Sequence, residues 1–208
     1  MRNSKSADDR RNEILDTAEE LFAYQGYDNT SVQKILDKIG IAKGTFYYHF
    51  KSKEEVMDGV INRINDRLLA AARQVLVNKE LTVHEKIFQA IMSLKLDTPF
   101  SDELIEQIHK PQNAQMHQKI LAAMIRGVTP ILADIVREGI EQGIFHTPYP
   151  YESAEMLITY TQVVFDDVLF ALTKEEQGVR IMAFIHNMEC MLKAEPGSFS
   201  YVTQLFCE

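Results

Sequence analysis

Apolar residues recur at helical spacing along most of the chain, and no long stretch alternates apolar and polar positions as a half-buried strand would. From Arg10 to Gln25, Ile14, Leu15, Ala18, Leu21 and Phe22 share one face, and Gly26 ends the helix. Val32, Ile35, Leu36 and Ile39 mark a shorter second helix. Thr30 is its expected cap, with Gln33 in the capping-box position. Gly40 stops it, because a residue without Cβ enters the left-handed turn cheaply. A third helix opens at Ala42-Lys43-Gly44-Thr45 and carries Phe46, Tyr47, Tyr48, His49 and Phe50. Phe46 and Phe50 are one turn apart and anchor it, leaving Lys43, Thr45, Tyr47, Tyr48 and His49 on other faces. Two short helices joined by a tight turn predict a helix-turn-helix, whose second helix fits the major groove of DNA.

The remaining pattern is also helical. Ser52 caps a fourth helix, with Glu54 and Glu55 in its first turn, and the apolar spacing continues to about Val77. Thr82 and Glu85 start a fifth, whose stripe is Ile87, Ile91 and Leu94; Asp97-Thr98-Pro99 breaks it. Ser101 to His109 is a short helix. A long one runs from about Asn113 to Gln142 with Pro130 inside it. The eighth, from about Glu152 to Leu172, is apolar nearly all round, which predicts burial on more than one side. The ninth runs from about Lys174 to Lys193, with Ile181, Phe184, Ile185, Met188 and Leu192 on one face. After Pro196-Gly197 the pattern fades, and the last residues have no assigned place. The expected fold class is all-α, with a three-helix helix-turn-helix domain over residues 1–53 and a larger α-helical domain over 54–208.

Charge sharpens this division. The chain carries a net charge of −8, which alone argues against nucleic acid. Residues 1–53, however, hold nine Lys/Arg against eight Asp/Glu, net +1, leaving 13 against 22, net −9, for the remainder. Within 31–53 there are five lysines (34, 38, 43, 51 and 53) against Asp37, net +4. A basic helix-turn-helix on an acidic body fits a DNA module joined to a sensing domain. Arg2, Lys5, Arg10 and Arg11 are further candidates for phosphate contact, equally well read as an inert basic tail. No apolar run is long enough to span a membrane and no signal peptide precedes the first helix, so a cytoplasmic protein without membrane partners is expected. Cys190 and Cys207 show no metal spacing, nor do His109, His117 and His146; no metal and no cofactor are expected. No nucleophile–base arrangement, phosphate-binding glycine loop or carboxylate cluster supports an enzyme.

The run Ile41-Ala42-Lys43-Gly44-Thr45-Phe46-Tyr47-Tyr48-His49-Phe50, followed by Lys51-Ser52-Lys53-Glu54-Glu55, resembles the signature of the tetracycline-repressor (TetR) family. Ile14, Leu15, Ala18, Leu21, Phe22, Gly26, Tyr27 and Thr30-Ser31-Val32 extend the match upstream, and Glu138-Gly139-Ile140-Glu141-Gln142-Gly143-Ile144-Phe145 resembles a looser motif near the end of a long helix. Ala42 departs from the pattern, which often has a capping Ser there. The resemblance implies a DNA-binding transcriptional regulator, a homodimeric repressor released from double-stranded operator DNA by a small molecule. It places DNA contacts at Thr30, Ser31, Lys43, Gly44, Thr45, Tyr47, Tyr48, His49 and Lys53. Lys43 suits guanine edges, and Thr45 a thymine methyl or a phosphate. The aromatic residues, His49 and Lys53 suit phosphates and sugars, while Gly44 permits close backbone approach.

For the larger domain, the expected homodimer contact is through helices 152–172 and 174–193, whose apolar circumference exceeds what one chain covers. Candidate pocket residues for an unknown apolar or amphipathic effector are Arg63, Arg67, Phe88, Met92, His109, Met116, Ile120, Met124, Tyr160 and Phe165. Thioethers adapt to varied ligands, although core filling is the commoner use of such methionines. The alternative is a dimeric DNA-binding regulator with no effector, and far behind it an enzyme. An inner cavity in the larger domain favours sensing; a packed core favours the alternative.

Overall fold

The computed structural model describes residues 6–94, 101–166 and 169–206. These residues form helices and turns, with no strand among them. The helices are α1 (Ala7–Gln25), α2 (Val32–Ile39), α3 (Lys43–His49), α4 (Lys53–Val77), α5 (Val83–Met92), α6 (Ser101–Ile108), α7 (Ala114–Glu141), α8 (Pro150–Val164) and α9 (Lys174–Leu192), with 3-10 turns at Pro111–Asn113 and Ser200–Phe206. The chain divides into two compact units: Met1–Asp66 with Leu96–Ala123, and Arg67–Lys95 with Met124–Glu208. Helices α4 and α7 each supply residues to both.

In the first unit, α1 packs against α2 and α6. Ile14, Phe22, Ile35, Phe46, Phe50 and Met57 are buried completely or nearly so, and the anticipated Phe46/Phe50 anchor is part of this core. Helix α1 begins earlier than the apolar spacing predicts. Ser6 accepts from Asp9 N–H while Asp9 accepts from Ser6 N–H, a capping box that brings residues 7–9 into the helix. Arg2 and Lys5 lie outside the described residues, while Arg10 pairs with Glu13 at 2.5 Å and the Arg11 guanidinium lies 5.0 Å from the Phe50 ring centroid. Helix α2 is capped by Ser31, which accepts from Lys34 N–H, and not by Thr30. Thr30 is buried, its hydroxyl donating to Gly26 O at 2.8 Å, and Gln33 bonds Asp37.

The second unit is built from the later part of α4, α5, α7 from Met124, α8 and α9. Leu69, Val83, Ile87, Ile131, Ile135, Phe145, Phe184 and Leu192 form its core. The Glu138–Phe145 motif has a local explanation here. Glu138 receives Lys86 Nζ on both carboxylate oxygens, at 2.8 and 2.7 Å, and Lys86 is 3 % exposed. A Cβ on Gly139 would lie 2.3 Å from the Phe145 ring, so only glycine lets that ring reach the core. Gly143 turns the chain at φ 73°. Helix α7 continues through Pro130.

Helix α8 stops at Val164 instead of continuing to Leu172. Phe165 N–H bonds Thr161 O as the cap, and Asp166 then accepts Leu169 N–H and Phe170 N–H in a turn. Residues 167 and 168, within the expected helix, lie outside the described residues, as does Cys207. The C-terminal segment is ordered by packing that its sequence pattern did not announce. Glu189, 8 % exposed, accepts Gly197 N–H at 2.9 Å and Phe199 N–H at 3.2 Å, and Phe199 and Val202 are buried. Burial of two such side chains contributes roughly 1.5–3 kcal/mol each.

Candidate nucleic-acid interface and apolar cavity

Helix α3 presents what the helical spacing predicts. Phe46 faces inward at 0 % exposure, while Lys43 and Gly44 are exposed, Tyr47 is 46 % exposed and Tyr48 79 %. Thr45 and His49 are half-buried. The Lys43 ammonium stands 5.8 Å from the Tyr47 ring centroid, one turn along the helix, and the Tyr48 and His49 rings meet edge to face at 4.9 Å. The turn before α3 is set by Gly40, at φ 77° and ψ 38°, whose N–H bonds Leu36 O. Ala42 makes no side-chain cap. A Cβ at Gly44 would meet nothing within 4 Å, so nothing in the fold requires glycine there. That leaves an outward backbone surface free for close approach.

Other members of the predicted contact set are engaged elsewhere. Thr30 is a correction: with 0 % exposure its side chain cannot reach a phosphate, because its hydroxyl is drawn inward by Gly26 O. Ser31 is exposed and caps α2. Lys53 donates to Tyr27 O at 2.8 Å and sits 3.9 Å above the Tyr27 ring, and burial pushes its pKa down. Lys34 donates to Asn29 O and Gln25 Oε1, and Lys38 pairs with Glu20. Much of the basic cluster therefore holds the headpiece together, and Lys43 and Lys51 are its exposed members without such an anchor in the charge count.

The second unit contains an apolar cavity of about 430 Å³. Ile87, Ile91 and Leu94 form one side, and Met124, Leu132 and Val136 of α7 another. Helix α8 supplies Ala154, Leu157, Ile158, Thr161 and Gln162, and Phe165 follows its end. Helix α9 contributes Phe184, Met188 and Leu192, and the C-terminal turn Val202, Leu205 and Phe206.

Of the candidate pocket residues, Met124 and Phe165 line this cavity. The others are placed differently. Arg63 pairs with Asp16 and Glu19 in the first unit. His109 is exposed there, its ring meeting His117 at 5.3 Å, while Met116 is buried core and Ile120 half-buried. In the second unit Arg67 and Met92 are exposed, Phe88 packs on Tyr201, and Tyr160, 37 % exposed as a residue, stacks on Phe184. Helical spacing identifies an apolar stripe without saying which core the stripe enters. The α9 and C-terminal walls escape a sequence reading for related reasons: the α9 stripe is legible but reads equally as a subunit interface, and the final segment has no periodicity.

A buried-anchor helix-turn-helix that exposes Lys43, Tyr47 and Tyr48, together with an all-helical unit that holds an apolar cavity, defines a DNA-binding regulator. The family model for bacterial regulatory proteins of the tetR family matches residues 14–60, and the tetracyclin repressor-like C-terminal domain model matches 97–187. The chain belongs to the TetR family of transcriptional regulators and is not an enzyme. It is 27 % identical to the fatty acid metabolism regulator protein of Bacillus subtilis, over 84 % of this chain and 95 % of that one. It is 39 % identical to the transcriptional repressor KstR2 of Rhodococcus jostii, over 33 % of this chain and 34 % of that protein. Among solved structures, its fold is similar to the fatty acid degradation regulator FadR of Bacillus halodurans, with a TM-score of 0.60 at 20 % identity, covering 89 % of this chain and 97 % of that one. SmeT, the repressor of a Stenotrophomonas maltophilia multidrug efflux pump, gives 0.60 at 20 % identity, covering 90 % and 91 %. Among the described residues, no helix is long and apolar enough to cross a membrane.

Proposed function

We propose that the chain is a homodimeric repressor that holds duplex operator DNA through α2 and α3 and is released by a small apolar or amphipathic molecule bound in the second unit. Residues 1–53 are the DNA-contacting part in this reading, and 54–208 bind the effector and dimerise. The observation that carries it is the apolar cavity of about 430 Å³, since a regulator without an effector would fill that space with side chains. Lys43 reads base edges, Gly44 admits the sugar–phosphate backbone, and Ser31, Thr45, Tyr47, Tyr48 and His49 hold phosphates and sugars. Lys53, tied to Tyr27, contributes mainly by fixing the turn before α2.

Dimerisation uses the outer faces of α8 and α9. Tyr151, Met156, Val179 and Met182 are exposed there, while Phe184, Ile185, Met188 and Leu192 are spent on the chain's own core. A two-fold axis would present that apolar surface twice. Two headpieces must meet two half-sites at fixed spacing, so a ligand that alters their separation loses one set of contacts.

The test is linkage. An operator duplex is selected from random-sequence DNA with the wild-type protein, and a ligand is found by melting shift. A hundredfold preference for the DNA-free state corresponds to about 2.7 kcal/mol, within the usual range of allosteric coupling. Calorimetry should then show the operator weakening ligand binding by the same factor that the ligand weakens operator binding. Equal ligand affinities with and without operator contradict the switch.

A further inference from the structure

We infer that the cavity of the second unit takes an uncharged lipophile, with its one hydrogen-bonding group placed against Thr161 and Gln162. The inference rests on the sensing reading for its biological meaning, but it concerns binding alone. Every other wall position named above is aliphatic, aromatic or a thioether. Thr161 and Gln162 are consecutive on the last turns of α8, so the polar character is confined to one end of that wall. The Thr161 hydroxyl donates its proton to Ile158 O at 2.9 Å and keeps lone pairs to accept with. The Gln162 amide both donates and accepts. Together they can serve an ester, amide, ketone or alcohol.

Lys86, Glu189 and Lys193 adjoin wall positions in the sequence, and the first two are committed elsewhere. Lys86 precedes Ile87, yet its ammonium is held by both oxygens of Glu138. Glu189 follows Met188, yet its carboxylate is occupied by the N–H groups of Gly197 and Phe199. Lys193 follows Leu192 but is exposed, in the left-handed cap of α9 at φ 51°. Among the described residues, no cation lines the cavity. A carboxylate brought inside would lose its hydration with no counter-charge, and would be rejected or forced to bind protonated. This separates the chain's expected ligand from a free fatty acid anion, although an aliphatic chain suits the walls.

The experiment compares three molecules with the same alkyl chain, methyl dodecanoate, dodecyl alcohol and dodecanoate, at about pH 8, where a carboxylic acid in water is ionised. Affinity is read on the full-length protein by calorimetry and by melting shift, without DNA. The expected result is binding of the ester and the alcohol, with dodecanoate at least about tenfold weaker. Gln162→Leu should weaken the ester and alcohol by about tenfold while its ligand-free melting temperature stays near the wild type's. Gln162→Lys should reverse the order in favour of dodecanoate. Dodecanoate binding as tightly as the ester, no binding by either neutral ligand, or Gln162→Leu leaving all affinities unchanged would overturn the inference. If dodecanoate binds best and also releases operator DNA, the charge inference falls and the sensing reading stands; if a ligand binds as inferred but leaves operator affinity unchanged, the reverse holds.

Discussion

The side-chain carbonyl of Asn113 accepts the backbone N–H of Tyr27 at 3.0 Å, joining the residue before α7 to the turn that launches α2, 86 positions earlier in the chain. The same oxygen lies 3.4 Å from Asp28 N, and the amide nitrogen donates to Gln107 O at 2.7 Å. Asn113 is 1 % exposed. Gly26 allows the approach: its φ is 81°, and a Cβ there would come within 2.8 Å of the Asn113 amide. The recognition unit is thus held from a distant part of the chain by an amide whose donor and acceptor are both used.

Asn113→Ala leaves the N–H of Tyr27 buried without its acceptor. It should destabilise the protein by about 1–3 kcal/mol and weaken operator binding, although the residue is not on the proposed DNA face. Asn113→Asp keeps the acceptor but loses the donor to Gln107, and should fall between. Chemical denaturation and fluorescence anisotropy measure the two effects; wild-type stability in Asn113→Ala would mean that the turn is fixed by other contacts.

The Lys86–Glu138 pair makes a sharper stability prediction. Glu138→Gln leaves the Lys86 ammonium, whose side chain is 4 % exposed, without its counter-charge. The cost should be about 2–3 kcal/mol, below the usual range for a broken buried pair because the Glu138 side chain is 30 % exposed. The double variant Lys86→Met/Glu138→Leu should recover most of it. A double variant no more stable than Glu138→Gln would show that the pair is not the source of the loss.

His84 predicts a pH dependence. Its ring is packed against Phe145, Phe199 and Tyr201, with Nδ1 3.2 Å from the Tyr201 hydroxyl. Burial pushes its pKa below the ordinary 6.5. The folded protein therefore binds fewer protons than the unfolded chain between the lowered pKa and 6.5, and stability rises with pH there. The contribution is complete above 6.5 and is lost as the pH falls through the folded-state value. His84→Phe should flatten this part of the melting-temperature profile; an unchanged acid limb would assign the dependence to other groups.

The proposed subunit interface can be tested without DNA. Met182→Glu with Met156→Glu places charges on the outer faces of α8 and α9, where both methionines are largely exposed in the single chain. A dimer joined there should dissociate by at least about tenfold, read by light scattering, with little change in helicity. An unaltered dimer would move the interface elsewhere.

Much of this architecture is legible in the residues. The Phe46/Phe50 spacing, Gly40 and the Thr82/Glu85 capping box specify local geometry that the chain then adopts. Local signals also explain the exceptions close to them. Thr30 and Ser31 are both capable caps, and the choice between them was made by Gly26 O, which draws the Thr30 hydroxyl inward. What the sequence could not reveal is partnership over long separations. The commitment of Arg63 to Asp16 and Glu19, of Lys53 to Tyr27, and of Glu189 to the C-terminal backbone depends on tertiary packing, and with it the difference between a pocket residue and a structural one. The end of α8 at Val164 is of the same kind, since apolar spacing continues past a turn that Asp166 organises.

The central claim is that the outward face of α3 grips DNA while its inward face holds the fold. The most direct measurement is the affinity of Lys43→Ala and Tyr47→Ala for an operator duplex selected with the wild-type protein, read by fluorescence anisotropy alongside circular dichroism and thermal melting. Lys43→Ala should lose about 1–3 kcal/mol of binding and relax the preference at one base position. Tyr47→Ala should weaken binding to all duplexes alike, as loss of a backbone contact does. Lys43→Ala should melt close to the wild type because Lys43 is exposed, and Tyr47→Ala should melt only slightly lower, since the Tyr47 ring meets the buried Phe46 only edge to face at 5.3 Å. Wild-type affinity in both variants would contradict the account.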